Sequence, residues 1–276
     1  MKHQVIDIKV DYKAAGLEGS AEPKLYTYII DHSPEMDYHK KRPAIVICPG
    51  GGYAMTSDRE AEPIALRFNA LGFQAFVLRY SVNQVIFPGA LLELSKAVSI
   101  VRENAKEWDI DPEKIVVCGF SAGGHLAASL GVFWNRDFVT KPLGFANQEN
   151  KPNGMILSYP VITSGEFAHV GSLKNLLKDK YDTDPELLSL VSLEKQVSQD
   201  TPPAFIWHTF DDAVVPVENA LVLAAEMKKQ NIPFELHILP KGIHGLSLAT
   251  METGFYQESC CGWPDMAARW VREMLG

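Results

Sequence analysis

A chain of 276 residues, 46% hydrophobic and 22% charged, carries enough apolar mass for a sizeable core. Its formal net charge of −8, with no basic run to offset it, argues against nucleic acid and anionic membrane as partners. The opening MKHQVIDIKVDYK alternates and carries charges, so it does not read as a signal-peptide core, and no apolar stretch has the length needed to cross a bilayer.

Residues 4–10 and 24–30 read as strands separated by a turn-rich segment, 15–23, with no helix between them. That pattern predicts an antiparallel edge. Residues 44–48 form a short, continuously apolar run, as suits a strand covered on both faces of a parallel sheet. The run ends at Pro49 and three glycines. Residues 73–80, 114–119, 154–158, 204–208 and 234–239 are similar. Between them, Leu91, Leu94, Val98, Val101, Ala105 and Trp108 step by three and four along one helix face. Val217, Ala220, Leu221, Ala224 and Met227 repeat the pattern, as do Met266, Trp270, Val271 and Met274 after Pro264, near a first helical turn. Residues 160–203 fit the alternation poorly. A short helix is expected over 173–181, and the whole stretch is expected to pack over one end of the sheet as a cap-like insertion. The fold class is therefore α/β: a doubly wound, mostly parallel sheet with an antiparallel edge and helices on both faces, in a single domain over 1–276. Cys48, Cys118, Cys260 and Cys261 have neither metal spacing nor a disulfide framework, which favours a cytoplasmic location.

The strongest chemical signal is Gly119-Phe120-Ser121-Ala122-Gly123, which fits G-x-S-x-G. An apolar strand precedes it and an Ala/Leu helix pattern follows it, the context in which that motif lifts a serine above a sheet on a strained turn. A helix-capping serine in a glycine-rich turn is the alternative. A serine nucleophile needs a base, and the base needs an orienting acid. In this architecture the order is Ser, then Asp or Glu, then His, each in a loop after a strand. Asp211 and Asp212 follow one strand, and His244 follows the next. Adjacent loop residues point different ways, so only one of the two aspartates reaches the imidazole, and position alone leaves the choice open. His125 lies on the helix after Ser121 and reads as a packing or hydrogen-bonding residue. His208 and His237 fall within strands, His237 on the solvent side. His3, His32, His39 and His169 have no positional argument.

Acyl transfer also needs N–H donors for the developing oxyanion. One is the residue after the nucleophile, here Ala122. Others come from the loop after an earlier strand, the place CPGGGY occupies. A phosphate cradle would need G-x-x-x-x-G-K-[ST] or G-x-G-x-x-G, and neither fits. A plain turn is the remaining alternative.

With these pieces in place the chain resembles the α/β-hydrolases of the esterase/lipase superfamily, most closely the small bacterial acetyl esterase/acetyl xylan esterase-like branch. The blocks CPGGGY, SDREAEPIALRFNALGFQAFVLRYSV, CGFSAGGHLA, DTPPAFIWHTFDDAVVPVENA and GIHGLSL occur in order over nearly the whole chain. The resemblance implies Ser121 as nucleophile and His244 as general base. The family pattern D-x-V-V-P puts the acid at Asp212, and the hormone-sensitive-lipase-like pattern takes oxyanion N–H groups from Gly51 and Gly52, with Ala122. One departure stands out: Pro49 occupies the place of the histidine of HGGG. Proline has neither a side-chain donor nor an N–H, so the loop must be fixed by its restricted φ and by neighbours.

The implied activity is hydrolysis of short-chain acyl esters, acetyl above all, possible substrates being esters of carbohydrates such as xylo-oligosaccharides, through an acyl-enzyme and with no metal or organic cofactor. The implied partner is a small-molecule ester, and an oligomer is compatible. Three other readings share the fold. A small peptidase or amidase of the prolyl-oligopeptidase kind usually carries a further large domain. A dienelactone-type hydrolase presents cysteine as nucleophile. A non-catalytic ligand-binding homologue is expected to have lost a triad member.

Overall fold

In the computed structural model of the protein, residues 1–33, 35 and 41–276 are described. Eight strands run in chain order: β1 (Val5–Asp7), β2 (Lys24–Tyr28), β3 (Arg42–Cys48), β4 (Gln74–Arg79), β5 (Ile110–Phe120), β6 (Gly154–Ser158), β7 (Ala204–Thr209) and β8 (Phe234–Leu239). The helices are α1 (Glu62–Ala70), α2 (Gly89–Glu103), α3 (Ala122–Phe133), α4 (Asp137–Leu143), α5 (Val170–Leu177), α6 (Lys180–Thr183), α7 (Pro185–Leu190), α8 (Glu218–Lys229) and α9 (Trp263–Met274). The strands form one sheet in the order β1-β2-β4-β3-β5-β6-β7-β8. The β1–β2 and β2–β4 pairs are antiparallel and all others parallel, so the expected antiparallel edge is present.

The continuously apolar strands are buried on both faces because alternate residues feed two separate cores. Ala44, Val46 and Cys48 of β3, with Ile115 and Val117 of β5, pack in one cluster with Leu91, Leu94 and Val98 of α2, Leu126 and Leu130 of α3 and Leu223 of α8. Ile45 and Ile47, with Val116, Cys118 and Phe120, face the other way, onto Ile64 and Phe68 of α1 and Trp263, Trp270 and Val271 of α9. This two-sided burial is what the unbroken apolar runs encode. The edge strand β8 differs, since its residues are half-buried or exposed.

Four helices, α1, α4, α6 and α7, lie outside the sequence-predicted set. α1 has Ile64, Ala65 and Phe68 as its buried face, and α4 and α7 are too short to show a helical period. Residues 160–203 hold α5, α6, α7 and a 3₁₀ turn, Leu193–Gln196. The stretch is tied down by backbone bonds from Phe87 N–H to Leu176 O and from Leu193 N–H to Ile162 O. Among the described residues, no helix is long and apolar enough to cross a membrane.

Candidate active site

From β3 the chain crosses to β4 on one side; β5 then returns to the other side of β3. Ligands of open α/β sheets bind outside the carboxyl ends of strands at such a reversal. The two glycine-rich loops sit there, Gly50–Gly51–Gly52 after β3 and Ser121 after β5. Ser121 has φ 52° and ψ −117°, a conformation unusual for a residue with a side chain. It is held by Ser121 N–H to Ser158 O (3.0 Å) and by Val161 N–H and His125 N–H to Ser121 O (3.0 and 3.1 Å). The glycines around it have no room for a substituent. A Cβ at Gly119 would stand 2.1 Å from Gly123 O, and one at Gly123 would stand 2.1 Å from Cys48 O. Ser121 precedes the first residue of α3, yet its side chain caps no helix N–H.

The Ser121 hydroxyl instead meets His244, with Nε2 2.8 Å from Oγ. His244 Nδ1 lies 2.7 Å from Asp212 Oδ2. The carboxylate can only accept, so the Nδ1 nitrogen carries the proton and Nε2 presents a lone pair to the serine. Asp212 Oδ1 accepts from Val214 N–H (2.9 Å) and Val215 N–H (3.0 Å). Burial pushes the Asp212 carboxyl up, but hydrogen bonds from His208 and His244, the charge on His244 and the Val215 N–H outweigh it, so its pKa lies well below the ordinary aspartate range. Asp211 points elsewhere and accepts from Gly242 N–H at 2.7 Å. Geometry thus separates the two aspartates that position alone left equivalent.

The glycine loop passes directly beside Ser121, since a Cβ at Gly50 would be 3.1 Å from that of the serine. Gly51 has φ +131° and no space, because a Cβ there would stand 2.3 Å from Met55 O. Gly52 has φ +64° but open surroundings, Ser172 Oγ being the nearest atom at 3.8 Å. The N–H groups of Gly51 and Gly52 have no acceptor among the described residues. Ala122 opens α3, where N–H groups lack intrahelical partners. Three side chains do the holding that Pro49 cannot. Tyr80 hydroxyl donates to Pro49 O (2.6 Å), Glu60 Oε2 accepts from Gly50 N–H (2.8 Å), and Asn175 Nδ2 donates to Gly52 O (2.8 Å).

Sequence reasoning passed over several of these groups. His208, buried on β7, has Nε2 2.9 Å from Val215 O and 3.3 Å from Asp212 Oδ2. Both are acceptors, so Nε2 is its donor nitrogen. His125 bridges Tyr53 hydroxyl at Nδ1 and Val191 O at Nε2, both at 2.9 Å. Burial pulls its pKa down to about 4, which keeps it neutral and structural. His169 takes Ser172 N–H on Nδ1 (3.3 Å); burial first, and then the charge on His244, lower its pKa. His237 pairs with Glu235 at 2.7 Å, and His39 lies outside the described residues. A separate groove of about 810 Å³, lined by Glu62, Leu66, Leu248, Cys261 and Pro264 among others, includes none of Ser121, Asp212 and His244.

Comparison with known proteins places this geometry in a family. Residues 32–227, more than half the chain, match the BD-FAE family model. The match takes in Ser121 and Asp212 and ends before His244. The chain is 40% identical over 234 residues to an endo-1,4-beta-xylanase B of Butyrivibrio fibrisolvens, covering 83% of this chain and 35% of that protein. It is 34% identical over 211 residues to an acetylxylan esterase of Xylanibacter ruminicola, covering 75% and 42% respectively. The chain thus spans well under half the length of these two curated relatives. Among solved structures, the acetyl ester-xyloside bifunctional hydrolase from Caldicellulosiruptor lactoaceticus superposes with a TM-score of 0.83 at 38% identity, over 98% of this chain and 96% of that one. The chain belongs to the BD-FAE family and has the α/β-hydrolase fold.

Proposed function

We propose that the protein is a serine carboxylester hydrolase that cleaves short acyl esters, acetyl esters of carbohydrates such as xylo-oligosaccharides above all. The observation that carries this reading is the unbroken chain from Ser121 Oγ through His244 to Asp212, at 2.8 and 2.7 Å, ending on a strained serine beside a glycine loop. His244 Nε2 takes the Ser121 proton as Oγ attacks the ester carbonyl. Asp212 holds the imidazole in that tautomer and stabilises its charged form. The N–H groups of Gly51, Gly52 and Ala122 receive the oxyanion. His244 then gives its proton to the departing alcohol oxygen. Water, activated in turn by His244, releases the acid and restores Ser121.

The named activities of the acetylxylan esterase and the acetyl ester-xyloside hydrolase support the acetyl and carbohydrate parts of the proposal. We read residues 160–203 as a cap-like insertion within one domain, supported by the Asn175 contact to the glycine loop. A cytoplasmic location belongs to the same proposal, and four free cysteines support it.

A panel of acetyl, butyryl and octanoyl esters, acetylated xylo-oligosaccharides and aminoacyl amides tests the reading. Acetyl esters are expected to turn over fastest. Preference for amides would favour the peptidase. Absence of turnover together with absence of labelling by a fluorophosphonate would favour the non-catalytic binder.

A further inference from the structure

Glu60 is a carboxyl group buried to 3% exposure at the end of a 3₁₀ turn, Asp58–Glu60, and the acyl-transfer mechanism leaves it without a role. Its two oxygens reach two different loops. Oε2 accepts from Gly50 N–H at 2.8 Å, one residue before Gly51. Oε1 accepts from the Tyr159 hydroxyl at 2.6 Å. The oxygen of that same hydroxyl accepts Ser247 N–H at 2.8 Å, in the loop that carries His244. The Tyr159 ring stands edge-on to the His244 ring, centroids 5.1 Å apart. Arg59, beside Glu60, repeats the link, since its O accepts from Ser247 Oγ and its Nη1 donates to Gly245 O.

This pattern of donors suits an ionised carboxylate. Gly50 N–H can only donate, so Oε2 must accept. The Tyr159 oxygen is already taken by Ser247 N–H, which turns its proton toward Oε1. A protonated Glu60 would need an acceptor for its own proton, whereas the groups that meet its oxygens, Gly50 N–H and the Tyr159 hydroxyl, are placed to donate. Burial raises the Glu60 pKa above the ordinary glutamate range, and the Tyr159 and Gly50 hydrogen bonds and the charges of His244 and Arg59 offset only part of that rise. Tyr80, Tyr159 and Cys118 also feel its charge.

We propose that Glu60 is an ionised positioning residue that clamps the glycine loop to the His244 loop and sets a second negative charge, besides that of Asp212, behind the imidazole. It takes over the anchoring that Pro49 denies this loop. The inference rests on the serine-hydrolase reading above.

The test measures p-nitrophenyl acetate hydrolysis against pH for the wild type, Glu60→Gln, Glu60→Asp, Tyr159→Phe and the Glu60→Gln/Tyr159→Phe pair, with circular dichroism to establish folding. Glu60→Gln is expected to lower kcat by on the order of 10²-fold with KM little changed, the scale of loss for a misplaced reacting geometry. Its acid limb of kcat/KM is expected to move to lower pH, because the site loses a negative charge. Glu60→Asp keeps the charge on a shorter arm, so kcat falls while the acid limb stays. Tyr159→Phe cuts only the His244 side, and the pair should be no worse than Glu60→Gln alone, since both changes break one clamp. A folded Glu60→Gln with wild-type kcat and acid limb overturns the proposal, as do additive losses in the pair. If Glu60→Gln does not fold, a Tyr159→Phe enzyme with wild-type kcat overturns it. A wild type that neither hydrolyses the ester nor labels with a fluorophosphonate brings down the underlying reading instead.

Discussion

Ser121 holds a backbone conformation that costs about 1–3 kcal/mol for a residue with a side chain. A capping role would not repay that cost, because the hydroxyl caps nothing and points to His244. Replacing Ser121 or His244 by alanine is expected to lower kcat by about 10³-fold or more while the fold persists. The adjacent aspartates provide a sharper contrast. Asp212→Asn removes the acceptor that sets the His244 tautomer and is expected to lower kcat by about 10⁴-fold. Asp211→Asn, whose carboxyl serves Gly242 N–H, should leave kcat within a few-fold of wild type. Equal losses in both would mean that the acid is misassigned. The serine motif and the order of its partners were legible in the sequence because strand, turn and helix flank them locally. Glu60, Tyr159 and His208 were not. Glu60 meets a partner 99 residues away, and His208 sits in an apolar strand whose pattern says only that it is buried.

At the scale of elements, α5 contributes to the site from outside the sheet. Asn175 donates to Gly52 O, so Asn175→Ala removes one fastening of the glycine loop. A hydrogen bond of this kind contributes about 1 kcal/mol, so kcat/KM for acetyl esters should fall by roughly 5-fold. An unchanged value would remove α5 from any part in holding that loop. A second clasp joins the N-terminal segment to α2. Glu93 on α2 is fully buried, accepting from Tyr12 hydroxyl and Ser81 N–H, each at 2.7 Å. Burial raises its pKa to about 7, against the hydrogen bonds that lower it. A carboxyl raised in the folded state binds its proton more tightly there than in the unfolded chain. Its contribution is therefore fully present below the ordinary glutamate range and lost as pH rises through about 7. The melting temperature should fall between pH 5 and pH 8, and Glu93→Gln should flatten that slope. A wild-type slope retained in the variant would assign the effect to other groups. The strands were readable because two-sided burial writes itself as an apolar run. α4 and α7 have seven and six residues, too few for a period to emerge.

Across the whole molecule, the parts of the site hang from strands of unequal depth. The glycine loop and Ser121 leave β3 and β5, neighbours at the centre of the sheet, so one row of ladder hydrogen bonds fixes their separation. Asp212 follows β7, and His244 follows β8 at the margin, where one flank pairs with β7 and the other has no strand beside it among the described residues. Local stability is thus expected to fall outward from Ser121 to His244. Sub-global opening begins where few apolar contacts are lost, and on the His244 flank of the sheet that place is the β8 edge. In rising urea, ester turnover should vanish before the far-UV signal changes, and amides of β8 should exchange with deuterium ahead of those of β3 and β5. Coincident transitions would show that the sheet melts as one unit. Under the proposed mechanism, inactivation by mild stress would then be His244 swinging away from a Ser121 that keeps its poise, a fault expected to heal when the stress is removed.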